Sequence, residues 1–148
     1  MSAQRFEGKV AIVTGGSMGI GRATALQLAR EGAQVIACAR RMPRLDSLGD
    51  EIAAFDGKFK GVELDIGDID AFAQLISDTA NKYGRLDILV NNAPTVIGGM
   101  ILDQNIEDWR ANFGVCVESV FIGVQAALRV MQPQGSGSII NISSVSSL

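Results

Sequence analysis

Short apolar runs alternate along this chain with longer stretches whose apolar positions recur at helical spacing. Val10 to Val13 is continuously apolar, as in a strand buried on both faces. Thr14 to Ser17 supply turn chemistry, and the alanine-rich Arg22 to Arg30 predicts a helix that Glu31-Gly32-Ala33 ends. Gln34 to Ala39 predicts a second buried strand. Pro43 then opens a helix carrying Leu45, Leu48, Ile52 and Phe55 on one side, and Asp56-Gly57 closes it. Phe59 to Leu64 reads as a shorter third strand. Asp68 caps the next helix, whose stripe is Ile69, Phe72, Ala73, Ile76, Ala80 and Tyr83, with Gly84 at its end.

Leu86 to Val90 predicts a fourth strand that runs straight into Asn91-Asn92-Ala93-Pro94. A loop from Thr95 to Met100 leads to Asn105, the cap of a long helix reaching about Met131. Its expected inner face is Phe113, Val117, Val120, Val124, Leu128 and Met131. Gln132 to Gly137 turns the chain into a fifth strand, Ser138 to Ser144. Strands that alternate with helices need crossover connections, so the pattern predicts one α/β domain over 1–148 with a parallel sheet.

The most informative stretch joins the first strand to the first helix. Gly15, Gly19 and Gly21 fit Thr-Gly-x-x-x-Gly-x-Gly, one residue longer in its first gap than Gly-x-Gly-x-x-Gly. Bare backbone N–H groups and the positive end of a helix dipole would converge there, with no side chains to keep a pyrophosphate away. The absence of a lysine at the helix start argues against a nucleoside-triphosphate P-loop. A glycine-rich turn kept only for tight packing is the plainer alternative, and the strand and helix on either side count against it.

Composition narrows the chemistry. The sequence is 47% hydrophobic and 20% charged, with a net charge of -3, so it reads as globular and carries no electrostatic footprint for nucleic acid or anionic membrane. No uninterrupted apolar run approaches the ~20 residues of a bilayer span, and the polar start of the chain predicts a cytoplasmic protein. There is no histidine, and the two cysteines, Cys38 and Cys116, lie far apart. Zinc therefore lacks ligands, no metal site is expected, and imidazole-assisted nucleophilic catalysis is excluded. The second strand ends Ala39-Arg40-Arg41, where an NAD site would carry an acid for the ribose 2′-OH. Arg40 and Arg41 offer cations to a 2′-phosphate instead, so NADP(H) is expected in preference to NAD(H).

Three segments, Thr14 to Gly21, Leu86-Asp87-Ile88-Leu89-Val90-Asn91-Asn92-Ala93 and Ser138-Ile139-Ile140-Asn141-Ile142-Ser143-Ser144, stand in this order along the whole chain. Together they resemble the N-terminal motifs of the classical short-chain dehydrogenases/reductases. The resemblance implies a Rossmann-type doubly wound parallel sheet, incomplete here at its C-terminal side. It also implies reversible hydride transfer between a nicotinamide and a small carbonyl or alcohol substrate. Gly15, Ser17, Met18, Gly19, Ile20 and Gly21 would hold the pyrophosphate, and Asp65 and Ile66 would meet the adenine. Asn92, Ala93 and Pro94 would lie beside the nicotinamide ribose with Ile142 near them, and Ser144 would be the catalytic serine.

Three departures from the family pattern matter. Pro94 stands where the family usually has glycine, fixing φ and removing an N–H. Cys116 falls where the family has an asparagine of its proton relay, with Asn112 one turn too early to replace it; Cys116 is read as a small buried apolar residue. The family's Tyr-x-x-x-Lys pair would follow Ser144 by about a dozen residues, and the sequence ends at Leu148. The 148 residues alone are thus expected to turn over little substrate and to leave the fifth strand as a bare apolar edge. A dinucleotide-binding module without catalysis is the alternative reading. Val115, Cys116, Phe121 and Ile122 add apolar surface to the long helix, which the family pairs between subunits, so a homo-oligomer (a tetramer or dimer) is expected.

Overall fold

The computed structural model describes residues 4–144, and residues 1–3 and 145–148 lie outside it. The elements are β1 (Val10–Thr14), α1 (Gly19–Arg30), β2 (Gln34–Ala39), α2 (Met42–Ala53), β3 (Lys58–Glu63), α3 (Ile69–Tyr83), β4 (Ile88–Asn91), α4 (Ile106–Phe113), a π-helical segment Gly114–Glu118, α5 (Ser119–Gln134) and β5 (Ser138–Asn141). The five strands form one sheet in the order β3-β2-β1-β4-β5, and every pairing is parallel.

Two apolar layers explain why β1 is continuously hydrophobic. Ala11 and Val13 pack on one face with Ala25, Leu28, Leu45, Leu48 and Ile52, under α1 and α2. Val10 and Ile12 pack on the other with Phe72, Ile76, Ala127 and Met131, under α3 and α5. A strand covered on both sides has no solvent face to keep polar. The chain winds outward from β1 through β2 to β3, then returns to place β4 on the other flank of β1. The crevice between the C-terminal ends of β1 and β4 is therefore the topological switch point, where open α/β sheets bind their ligands.

Two helix faces differ from the sequence expectation. In α5 the buried residues are Ser119, Gly123, Ala127 and Met131, whereas Phe113, Val117 and Leu128 are exposed. Small side chains let this helix approach closely: a Cβ on Gly123 would stand 2.7 Å from the ring of Phe72 on α3. Large residues were expected inward because they bury most area, but close contact here selects small ones. The buried side of α3 is Phe72, Leu75, Ile76 and Thr79, rotated from the predicted stripe, with Ala73, Ala80 and Tyr83 only partly covered. Phe55 lies beyond α2 and is exposed, with Arg30 over its ring.

The helical rod Ile106–Gln134, 29 residues long, is long and apolar enough to cross a membrane by length and composition alone. Here it lies against α3, β4 and β5, as a crossover helix must. The fifth strand is shorter than predicted and forms one edge of the sheet, with Ile140 and Ile142 exposed.

Two acids tie down the opposite end of the sheet. Glu31 is buried against Arg5 and accepts from Gln27 Nε2 at 2.6 Å, and the Arg5 guanidinium chiefly holds its carboxyl down at about 2. Burial pushes the Asp87 carboxyl upward, but Arg85, the Val10 N–H and Lys9 together hold it below its ordinary value. A carboxylate depressed on folding stabilises the fold above its unfolded pKa, and that contribution disappears as pH falls through the folded pKa. The thermal midpoint should therefore drop steeply from pH 4.5, the ordinary value, to about 2. In Glu31→Gln this acid limb should be shallower; a limb parallel to the wild type's would refute the assignment.

Candidate functional site

β1 delivers the chain into the crevice at Thr14, and the turn to α1 is shaped by what its glycines must avoid. Gly15 has φ +67°, and a Cβ there would lie 2.9 Å from both Ala93 Cα and Asn92 Nδ2. A Cβ on Gly21 would strike Asn92 Nδ2 and the Gly15 carbonyl oxygen. Gly19 differs: its φ is +55° and nothing lies within 4 Å of its Cβ position. Its bare backbone thus leaves room beside the start of α1. Met18, at the N-cap, makes no side-chain cap, so the first-turn N–H groups of α1 are not claimed by one. Packing alone accounts for Gly15 and Gly21, whereas Gly19 leaves the start of α1 open.

The turn is locked to the loop after β4 by one hydroxyl. Thr14 Oγ1 accepts from the Asn92 N–H at 2.9 Å and the Ala93 N–H at 3.0 Å, and donates to the Val90 carbonyl at 3.4 Å. Asn92 Nδ2 returns a bond to the Thr14 carbonyl at 3.0 Å. On the other flank the Gly16 N–H donates to the Cys38 carbonyl at 3.2 Å, bringing in the end of β2. Burial pushes the Cys38 thiol up to about 12, so it serves as packing and not as a nucleophile.

Around this lock a cleft is lined by Gly15, Cys38, Ala39, Arg40, Leu64, Asp65, Ile66, Ala93, Pro94, Thr95 and Val115. It gathers predicted residues from four separate segments: Gly15, Arg40, Asp65 with Ile66, and Ala93 with Pro94. Asp65 Oδ1 accepts from the Gly67 N–H at 2.9 Å, which turns the chain after β3 and leaves Ile66 buried. Arg40 is exposed at the rim. Arg41 and Arg44 both donate to the Met18 sulfur, at 3.6 and 3.3 Å, so a patch of cations borders the mouth of the glycine turn. Arg44 was missed from the sequence; its spacing of four from Arg40, just past Pro43, is the signal that could have found it. Ser17 is half-buried in the turn, and Ile20 faces outward from the first turn of α1.

At the far side, Asn91 Nδ2 donates to Asn141 Oδ1 at 2.9 Å and the Ile142 N–H donates to the Asn91 carbonyl at 2.9 Å. These bonds clasp β5 to β4 and carry Ser143 and Ser144 out of the same end of the sheet. Ser144 is exposed beyond the strand end.

The loop after Pro94 is held by the helical rod. Asn112 makes a two-bond clamp on Ile97: its Oδ1 accepts from the N–H at 2.8 Å and its Nδ2 donates to the carbonyl at 3.0 Å. Cys116 is exposed and not buried as expected; its thiol donates to the Thr95 carbonyl at 3.2 Å. The π-helical segment turns this part of the rod toward the loop, and Ser119 Oγ takes up the Val115 carbonyl at 2.6 Å. Among the described residues no cluster of acids and cysteines could hold a metal ion.

A doubly wound parallel sheet with a glycine turn and an asparagine lock at its switch point defines a Rossmann-type nucleotide-binding protein. Residues 9–148 match the family described as short chain dehydrogenase, and the chain belongs to that family. It is 40% identical over 141 residues to the 3-oxoacyl-[acyl-carrier-protein] reductase FabG of Thermotoga maritima, covering 95% of this chain and 57% of the relative. It is 34% identical to the 3beta-hydroxysteroid dehydrogenase of Mediterraneibacter gnavus, covering 97% of this chain and 52% of the relative. The chain thus spans little more than half the length of these curated relatives. Among solved structures, a metagenomic short-chain oxidoreductase in complex with NADP superposes with a TM-score of 0.91 at 35% identity, over 95% of this chain and 64% of that one. A gluconate 5-dehydrogenase described as putative and NAD(P) dependent, from Beutenbergia cavernae with bound NADP, gives 0.90 at 32% identity, over 98% of this chain and 57% of that one.

Proposed function

We propose that this chain forms the cofactor-binding part of an oxidoreductase that uses NADP(H) to interconvert a carbonyl and an alcohol. The observation that carries this reading is the crevice where Thr14 joins the glycine turn to Asn92 and Ala93. The open backbone at Gly19 and the start of α1 suit a pyrophosphate, and the adenosine would lie against the shallow cleft along Ala39, Asp65 and Ile66. A bound nicotinamide would supply or accept the hydride. Ser144 would hold the substrate oxygen by a hydrogen bond, while Asn92, Ala93 and Pro94 form the wall beside the nicotinamide ribose. The substrate oxygen must also gain a proton as the alcohol forms, and this sequence has no histidine to deliver it.

Cofactor choice follows from charge. Ala39 brings no carboxylate to the ribose, whereas Arg40 and Arg41, joined by Arg44 at Met18, border it with cations. Hydrogen bonds to charged groups contribute roughly 1.5–3 kcal/mol, so NADPH should bind about tenfold to a hundredfold more tightly than NADH. Titrating both cofactors by nicotinamide fluorescence tests this, and Arg40→Ser should bring the two affinities closer. Equal or tighter NADH binding would overturn the preference. A non-catalytic dinucleotide-binding module is the second reading, favoured by Cys116 at the relay position. Tight cofactor binding with no reduction of any ketone by the whole protein would support it.

The same reading includes a homo-oligomer. Val117, Phe121 and Leu128 are exposed along the helical rod and give it an apolar outer face that a second copy would cover. Light scattering at micromolar concentration should give a multiple of the chain mass, with Phe121→Glu reducing it. A monomeric wild type would refute the assembly.

A further inference from the structure

The loop between the cofactor crevice and α4 has an unusual surface. Val96, Met100, Ile101 and Leu102 are 84%, 72%, 79% and 92% exposed. The first part of the loop is held from the rod side, with Asn112 clamping Ile97, Gln104 Nε2 donating to the Ile97 carbonyl at 2.9 Å and Cys116 holding Thr95. Its far part is closed by the Asp103 N–H donating to the Met100 carbonyl at 2.9 Å. A loop anchored on its inner side that turns large apolar side chains outward presents them for contact. Charge sharpens the picture. The sequence has no cation between Arg85 and Arg110, and the acids at the far end of the loop are Asp103, Glu107 and Asp108. The loop itself offers no cation to a carboxylate or a phosphate, and those acids would repel one.

The loop is also continuous with the site. It leaves the wall residue Pro94 directly, and Thr95 lines the cleft that Ala93 and Asp65 share. β4, which feeds the loop, pairs with β5, which carries Ser144 out of the same end of the sheet. We infer that the substrate is a neutral ketone or secondary alcohol with a long apolar body, which lies along Val96 and Met100 to Leu102 while its oxygen meets Ser144. This rests on the oxidoreductase reading and names its substrate class.

Trp109, the one tryptophan in the sequence, stands on α4 beside this loop, stacked on Phe113 at 4.9 Å, and reports on its surroundings. Its fluorescence should be followed while 2-butanone, 2-hexanone or 2-octanone is added at saturating NADP+, so that ketone binds without being reduced. Each methylene buried should tighten binding about fourfold. Leu102→Asp should flatten that series without changing NADP+ affinity, and 2-oxooctanoate should bind more weakly than 2-octanone. A flat series in the wild type, or tighter binding of the 2-oxo acid, would overturn the inference. A flat series together with an oligomer that Leu102→Asp dissociates would overturn it by assigning the loop to a second copy of the chain. Failure to bind NADP+ at all would instead defeat the oxidoreductase reading, because the ketone arm is interpreted only after cofactor saturation is seen.

Discussion

Gly21→Ala should weaken dinucleotide binding severely. The added methyl group falls on Asn92 Nδ2 and on the Gly15 carbonyl oxygen, and neither can step aside freely. Asn92 Nδ2 is committed to the Thr14 carbonyl, and the Asn92 backbone to Thr14 Oγ1. Relief must therefore come from moving the glycine turn away from the β4 loop, which opens the crevice. Overpacking of this kind costs about 1–3 kcal/mol. With the turn displaced, NADPH affinity should fall on the order of a hundredfold, the effect of about 3 kcal/mol. Calorimetric titration reads the affinity and thermal melting the stability. Gly19→Ala tests the site from the other side. Its methyl group meets no protein atom, so the fold bears only the strain of the left-handed φ, about 1–2 kcal/mol. That methyl group does enter the space proposed for the pyrophosphate, and it should weaken NADPH binding without displacing the turn. If Gly21→Ala binds NADPH as the wild type does, the turn is not the pyrophosphate site.

The largest loss of stability should come from Phe72→Ala, well away from the crevice. Phe72 is fully buried, the largest such side chain among the described residues, and sits in the layer shared by α3 and α5. Truncating a core phenylalanine costs about 3–5 kcal/mol, because the cavity adds to the lost transfer energy. Gly123 will not fill the space, having no side chain to move into it. Denaturant unfolding measures the change; a cost below about 1 kcal/mol would show that α3 and α5 settle together over the gap. Below the melting point NADPH affinity should stay within about threefold of the wild type's, since none of the crevice hydrogen bonds runs through Phe72.

Much of this architecture was legible because its signals were local. β2 has the predicted ends, Asp68 caps α3 by accepting from the Ala71 N–H at 3.0 Å, and Gly84 ends it in the left-handed region. Those outcomes depend on a few neighbouring residues. The face of α5 was not legible, because Ser119, Gly123 and Ala127 carry little hydrophobic signal, and the value of Gly123 lies in its closeness to Phe72. The role of Thr14 was hidden for another reason: its partners, Asn92 and Ala93, are far away along the chain. Cys116 was misjudged because a thiol's hydrogen bond to a loop carbonyl leaves no trace in sequence. Arg44 escaped notice because cations on a helix are ordinarily just solvated.

The π-helical turn from Gly114 to Glu118 has a consequence for how one rod serves two neighbours. Each residue of a regular helix advances the azimuth by about 100°, and a wider turn lets the winding before and after it fall out of phase. Ahead of the slip the rod offers Asn112 to the loop at Ile97; behind it, Ser119, Gly123, Ala127 and Met131 meet the core. A uniformly wound helix would carry a single stripe along its length and would have to choose between these two jobs. The slip works as a gear change on one shaft, letting the grip on the loop and the docking on the sheet be adjusted separately.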